Sequence, residues 1–138
     1  MKVSVYTDGG SRGNPGHSGF GVAIYDENKQ IVAKLSKYIG IKTNNEAEYS
    51  ALIDSLTWLR DNASLHSITN VSFFSDSQLM VRQLQGKYKV KAENIKPLFN
   101  QAKSLLDSLN LTYQFNDIPR EQNSLADELA NQAMDRKS

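Results

Sequence analysis

Three short segments of alternating apolar residues open this 138-residue chain, and the links between them are too short for anything but reversals. Val3–Thr7 alternates as a strand ending at Asp8; Gly19–Tyr25 and Gln30–Tyr38 follow, with Asp26-Glu-Asn-Lys29 as a hairpin turn. Between the first two, Gly9-Gly-Ser-Arg-Gly-Asn-Pro-Gly16 is dense in Gly, Asn and Pro and reads as a loop. Parallel neighbours need a crossover of about a dozen residues or more, so these three strands form an antiparallel meander. The period then becomes helical. Asn44–Arg60 carries Ala51, Leu52, Leu56 and Leu59 on one face, behind a Thr43 or Asn44 cap. Thr69–Ser75 is a strand, Ser77–Leu84 a short helix closed by Gly86, and Ile95–Leu109 another helix. Leu111–Asp117 is a strand and Ser124–Met134 a final helix. The order predicts an α/β fold: a five-stranded mixed sheet, antiparallel over its first three strands and parallel thereafter, flanked by helices.

This length suits one domain spanning 1–138, with a core that needs no staples. With 39% hydrophobic and 22% charged residues the chain is expected to be globular. Cysteine is absent, which excludes disulfides and thiolate zinc sites and fits a reducing compartment. Met1-Lys-Val-Ser-Val-Tyr-Thr-Asp8 is too polar for a signal peptide, and no apolar run approaches the ~20 residues of a membrane span. A cytoplasmic protein without membrane contact is expected, with a monomer as the default. The net charge of +1 announces no polyanion partner. Locally, Arg82, Lys87, Lys89, Lys91, Lys96 and Lys103 face only Glu93, with Tyr88 interleaved. Such a run is either a solvated helix face or a surface for a phosphate backbone.

Four carboxylates fall where their charge is costly. Asp8 and Asp76 end strands, at the edge where open α/β sheets gather functional groups. With Glu48 at zero on a 100° wheel, Leu59, Leu52, Leu56 and Ala51 lie at about 20°, 40°, 80° and −60°, so Glu48 faces the sheet. Glu46 lies about 160° away, in solvent. Asp127 flanks the stripe of Ala126, Leu129, Ala130 and Ala133. Each has an ordinary alternative: Asp8 as a turn former, Asp76 as a helix cap, Asp127 as a first-turn acid and Glu48 as a cap or ion-pair partner. Their convergence on one sheet edge points instead to a shared cation, because unpaired buried charge is normally neutralised or coordinated. All-oxygen donors favour Mg²⁺, with Mn²⁺ as a substitute, over zinc. His17 and His66 have no ligand spacing and read as surface residues. Two such cations can activate water and stabilise the leaving oxyanion of a phosphodiester.

Read in order, Asp8-Gly-Gly-Ser-Arg-Gly-Asn-Pro-Gly16, Thr43-Asn-Asn-Glu-Ala-Glu48-Tyr, Ser75-Asp76-Ser-Gln-Leu and Asn123-Ser-Leu-Ala-Asp127-Glu-Leu-Ala resemble the ribonuclease H type 1 family over nearly the whole chain. The resemblance implies a ribonuclease H-like fold and an endonuclease that cuts the RNA strand of RNA–DNA hybrids, leaving 5′-phosphate and 3′-hydroxyl ends. It implies that Asp8 bridges two Mg²⁺ ions, Asp127 completes the nucleophile-side ion, and Glu48 with Asp76 holds the leaving-group ion. Asn14, Asn44, Asn45 and Gln78 match positions that contact the hybrid's minor groove. Their amides can both donate to and accept from a 2′-hydroxyl, the group that separates RNA from DNA. Thr43 and Asn44 match a pocket for a DNA-strand phosphate, although Glu46 stands where some members are basic. Two departures stand out. The loop Ile118-Pro-Arg120-Glu-Gln-Asn123 lacks the histidine of many bacterial members and is similar to the archaeal-like branch, which implies Arg120 in that role. Gly86-Lys-Tyr-Lys-Val-Lys-Ala-Glu-Asn94 runs directly into the next helix, so the basic handle of some members is absent and weaker hybrid affinity is expected.

A module that binds hybrid or double-stranded RNA with little or no catalysis is the alternative. It has no use for four acids that repel phosphate. An integrase- or resolvase-like nuclease of the same superfold would lack the amides that read a 2′-hydroxyl.

Overall fold

The computed structural model describes residues 1–137. Its elements are β1 (Lys2–Arg12), β2 (Gly16–Tyr25), β3 (Ile31–Lys42), α1 (Asn44–Asn62), β4 (Asn70–Ser75), α2 (Gln78–Leu84), α3 (Lys96–Leu109), β5 (Thr112–Asp117) and α4 (Ser124–Arg136). The sheet order is β3-β2-β1-β4-β5. The β1/β2 and β2/β3 pairs are antiparallel, and β1/β4 and β4/β5 are parallel, as the pattern of short and helical links predicts.

The expected loop over Gly9–Gly16 is a correction. β1 continues to Arg12 and β2 begins at Gly16, paired from Ser4↔Tyr25 to Arg12↔His17, so only Gly13-Asn-Pro15 turns. Gly9 of this segment and Gly21 further along β2 mark close packing rather than a turn. A side chain on Gly9 would meet the Ala47 carbonyl carbon at 2.3 Å, and one on Gly21 would meet the Ala126 oxygen at 2.3 Å. Gly9 lets α1 approach one face of the sheet and Gly21 lets α4 approach the other. β3 likewise runs on to Lys42, beyond the expected end at Tyr38.

One core lies between the sheet and α1, α2 and α3, built from Val3, Val5, Phe20, Val22, Val71 and Phe73 against Leu52, Leu56, Leu59, Val81 and Leu106. Each such aliphatic side chain contributes roughly 1.5–3 kcal/mol by leaving water. Trp58 packs against this core and stacks on His66. On the opposite face α4 lies over β2, β1 and β3 through Ala126, Leu129, Ala130, Ala133 and Met134. Thr43 caps α1: its hydroxyl accepts from the Glu46 N–H, and the Glu46 carboxylate accepts from the Thr43 N–H at 2.9 Å. Glu46 is thus half-buried and engaged rather than solvated. Such a cap contributes about 1 kcal/mol. Among the described residues, no helix is long and apolar enough to cross a membrane.

Candidate active site

The parallel ladder between β1 and β4 stops at Thr7↔Ser75, while β1 runs on beside β2. A notch therefore opens in the sheet, with Asp8 on one wall and Asp76 on the other. Glu48 enters it from α1, and its Oε1 accepts from the Gly9 N–H at 2.7 Å. Carboxylate oxygens of Asp8, Glu48 and Asp76 all lie within 4.8 Å of one another. Asp127 joins from the first turn of α4, lining the same cleft and close enough to Asp8 to oppose its ionisation. Asp8 and Glu48 are each 7% exposed. Asp76 is free to take part because the neighbouring Ser77, not Asp76, caps α2 through the Met80 N–H.

The electrostatics reflect this crowding. Burial, then the charge of Asp76, then the contact with Asp127 raise the Asp8 carboxyl to about 8. Glu48 is also pushed up, by burial first and by Asp8 and Asp76 next, with the Gly9 N–H opposing the rise. Among the described residues, no lysine lines the cleft around this cluster. A divalent cation satisfies such a set of oxygens, and hard oxygen donors suit Mg²⁺ or Mn²⁺.

The four acids line one cleft of about 490 Å³ together with Asn44, Asn45, Gln78 and Arg120. The Arg120 guanidinium stands 3.5 Å from the Asp127 carboxylate, with its side chain exposed to solvent. Asn14 and Thr43 do not line the cleft. Asn14 uses its amide oxygen to accept from the Asn44 N–H at 3.0 Å, and Asn44 in turn accepts from the Ser11 N–H at 2.9 Å. These bonds sew the β1–β2 turn to the start of α1. Lys87, Tyr88, Lys89 and Lys91 are exposed on the link between α2 and α3.

Three residues with a place in this arrangement have no role assigned to them from the sequence. Asn123 is buried, and its Nδ2 donates to the Thr7 carbonyl at 2.8 Å, which ties the start of α4 to the residue before Asp8. Asn131 donates from Nδ2 to the Asp127 carbonyl, one helical turn earlier, at 3.0 Å. Arg12 also lines the cleft. Helical spacing from Asp127 marks Asn131 in advance. Arg12 is hidden as long as its segment is read as a loop.

A five-stranded mixed sheet with acids at the opening between its first and fourth strands defines a class, and a family model described as "Reverse transcriptase-like" matches residues 6–133. The chain belongs to the ribonuclease H family, of the type 1 kind. It is 31% identical to Ribonuclease H of Ruthia magnifica subsp. Calyptogena magnifica, covering 99% of this chain and 98% of that one. It is 39% identical to Bifunctional protein Rv2228c of Mycobacterium tuberculosis over 98% of this chain, and spans only 36% of that protein's length. The crystal structure of LC11-RNase H1 in complex with RNA/DNA hybrid superposes with a TM-score of 0.93 at 43% identity, covering 98% of both chains.

Proposed function

We propose that this chain is an endonuclease that hydrolyses the RNA strand of RNA–DNA hybrids by a two-metal-ion mechanism, leaving 5′-phosphate and 3′-hydroxyl ends. The carrying observation is the cluster of Asp8, Glu48 and Asp76 oxygens within 4.8 Å, in a chain similar to one solved with RNA/DNA hybrid. Asp8, Glu48, Asp76 and Asp127 would hold two Mg²⁺ ions, or Mn²⁺ in their place. Bound there, the ions would supply Lewis acidity, making the attacking water more acidic and neutralising charge on the leaving oxygen.

The chain's own residues perform the rest. Asp8, the most central acid, faces the Asp76 and Asp127 carboxylates, and a bound cation would favour its ionised form over the protonated one that crowding favours in its absence. Glu48 is fixed beside Asp8 and Asp76 by the Gly9 N–H. Asn44, Asn45 and Gln78 offer amides along the cleft for 2′-hydroxyl contacts, and Asn14 and Thr43 support them through the turn and the helix cap. Arg120, poised on Asp127, would steady charge as product forms. The test incubates labelled RNA–DNA hybrid, duplex RNA and duplex DNA with the protein, with Mg²⁺, Mn²⁺ or chelator, alongside Asp8→Asn and Asp76→Asn. The expected result is cleavage of the RNA strand in the hybrid alone, lost with chelator and in both variants. Cleavage that survives chelation would refute the metal-ion reading.

A further inference from the structure

We propose that Arg12 is a phosphate ligand for the nucleic-acid strand seated over the carboxylates, parked on Asp135 when substrate is absent. The inference rests on the nuclease reading and gives a role to Arg12, a residue of the first motif to which the sequence analysis assigns none.

Two rows of side chains run side by side between β1 and α4. Residues 8, 10 and 12 of β1 share the strand face toward α4, and Asp127, Asn131 and Asp135 recur every four residues on the helix. Two strand residues advance about 6.6 Å and four helix residues about 6 Å, so the rows stay nearly in step. Asp8 accordingly meets Asp127 at one end. At the other, Arg12 Nη2 donates to Asn131 Oδ1 at 3.3 Å and Nη1 pairs with an Asp135 oxygen at 2.5 Å. Arg12 stands about 13 Å along β1 from Asp8, beyond a metal's inner shell yet within the same cleft.

The charge pattern gives that position a use. A phosphodiester entering the cleft meets four carboxylates, and a polymer substrate carries further phosphates that bound ions at Asp8 do not reach. Arg120 supplies positive charge beside Asp127, and Arg12 supplies it at the other flank. The Arg12–Asp135 pair is open to solvent, with side chains 46% and 64% exposed. An ion pair so exposed adds little stability, so exchange of Asp135 for a phosphate is readily reversible. The planar guanidinium suits two phosphate oxygens at once. The backbone beneath it is rigid, because Ser11 is bound to Asn44 and Asn44 to Asn14.

The experiment measures KM and kcat for RNA–DNA hybrid across a salt series, in the unaltered protein and in Arg12→Ala, Arg12→Lys and Asp135→Asn. Melting temperatures verify that each variant is folded. Arg12→Ala is expected to raise KM roughly tenfold, the loss of one charged contact. It should also flatten the slope of log KM against log salt by about 0.7–0.9, one phosphate's share. Arg12→Lys recovers part of both effects, and Asp135→Asn lowers KM by freeing the guanidinium. Unchanged KM and salt slope in Arg12→Ala would overturn the proposal. So would a fall in kcat with a raised Mg²⁺ requirement at constant KM, which would make Arg12 a clamp that positions α4. Absence of hybrid cleavage by the unaltered protein takes down the nuclease reading itself, and this inference with it.

Discussion

Asp8→Asn should abolish activity and at the same time make the metal-free protein more stable. In the folded chain Asp8 titrates near 8, against an ordinary value of 3.8, because burial and neighbouring acids penalise its charge. Between those values the folded state holds a proton that the unfolded state has released, so stability falls as pH rises from about 4 to 8. Four pH units correspond to a ceiling on the order of 6 kcal/mol. Asn has the same shape and no charge to bury, so it escapes that cost. If a third of the ceiling survives relaxation of the cleft, the gain is about 2 kcal/mol, or roughly 6–8 °C in a chain of this size. The assay is thermal unfolding in chelator at pH 5 and pH 8.5, followed by titration with Mg²⁺. The variant's advantage should be small at pH 5 and large at pH 8.5. Mg²⁺ should raise the melting temperature of the unaltered protein more than that of the variant. A variant that melts lower at pH 8.5 in chelator, or whose gain is the same at both pH values, would refute the view that the acids are crowded and uncompensated.

Glu48 and Gly21 test the two sides of the same construction. Glu48→Gln keeps an acceptor for the Gly9 N–H, whereas Glu48→Ala strands that donor, so urea unfolding should separate the two by about 1–3 kcal/mol while both lose activity. Gly21→Ala drives a methyl group into the Ala126 carbonyl and the Leu129 side chain at 2.3 and 2.6 Å. It should cost about 1–3 kcal/mol and reduce activity by lifting α4, and with it Asp127, from the sheet. Full activity at an unchanged melting temperature would show that α4 does not need that close approach.

The four acids were legible because their cost is local. Glu48 lies in the middle of an apolar helical face, and Asp8 and Asp76 follow apolar strands; each has an ordinary alternative, and only their convergence with Asp127 on one sheet edge points to a shared cation. What neutralises that cost is not local, and so much of the rest was hidden. Asn123 stands beside a helix start, where its residue type reads as a cap, yet its side chain turns to the Thr7 carbonyl on β1. Ser77 and Asp76 are equally good caps by residue type. Only the fold assigns the cap to Ser77 and leaves the Asp76 carboxylate unengaged by the helix start.

Glycine carries the same ambiguity further. It relieves a turn or admits a neighbouring backbone, and a sequence reading of Gly9-Gly-Ser-Arg-Gly-Asn-Pro-Gly16 has no means of telling these apart before the helices are packed. Here the residue at 13 turns, with φ of 101°, while Gly9 admits α1. The difference decides the chemistry. Read as a loop, the segment gives Asp8 a flexible neighbour and Arg12 no fixed direction. As a strand it holds Asp8, Gly10 and Arg12 in one row beneath α4, so the spacing between the crowded acids and the Arg12 guanidinium is set by the sheet. An insertion of one residue between Gly10 and Arg12 would turn Arg12 to the α1 face, and the row would end at the acids.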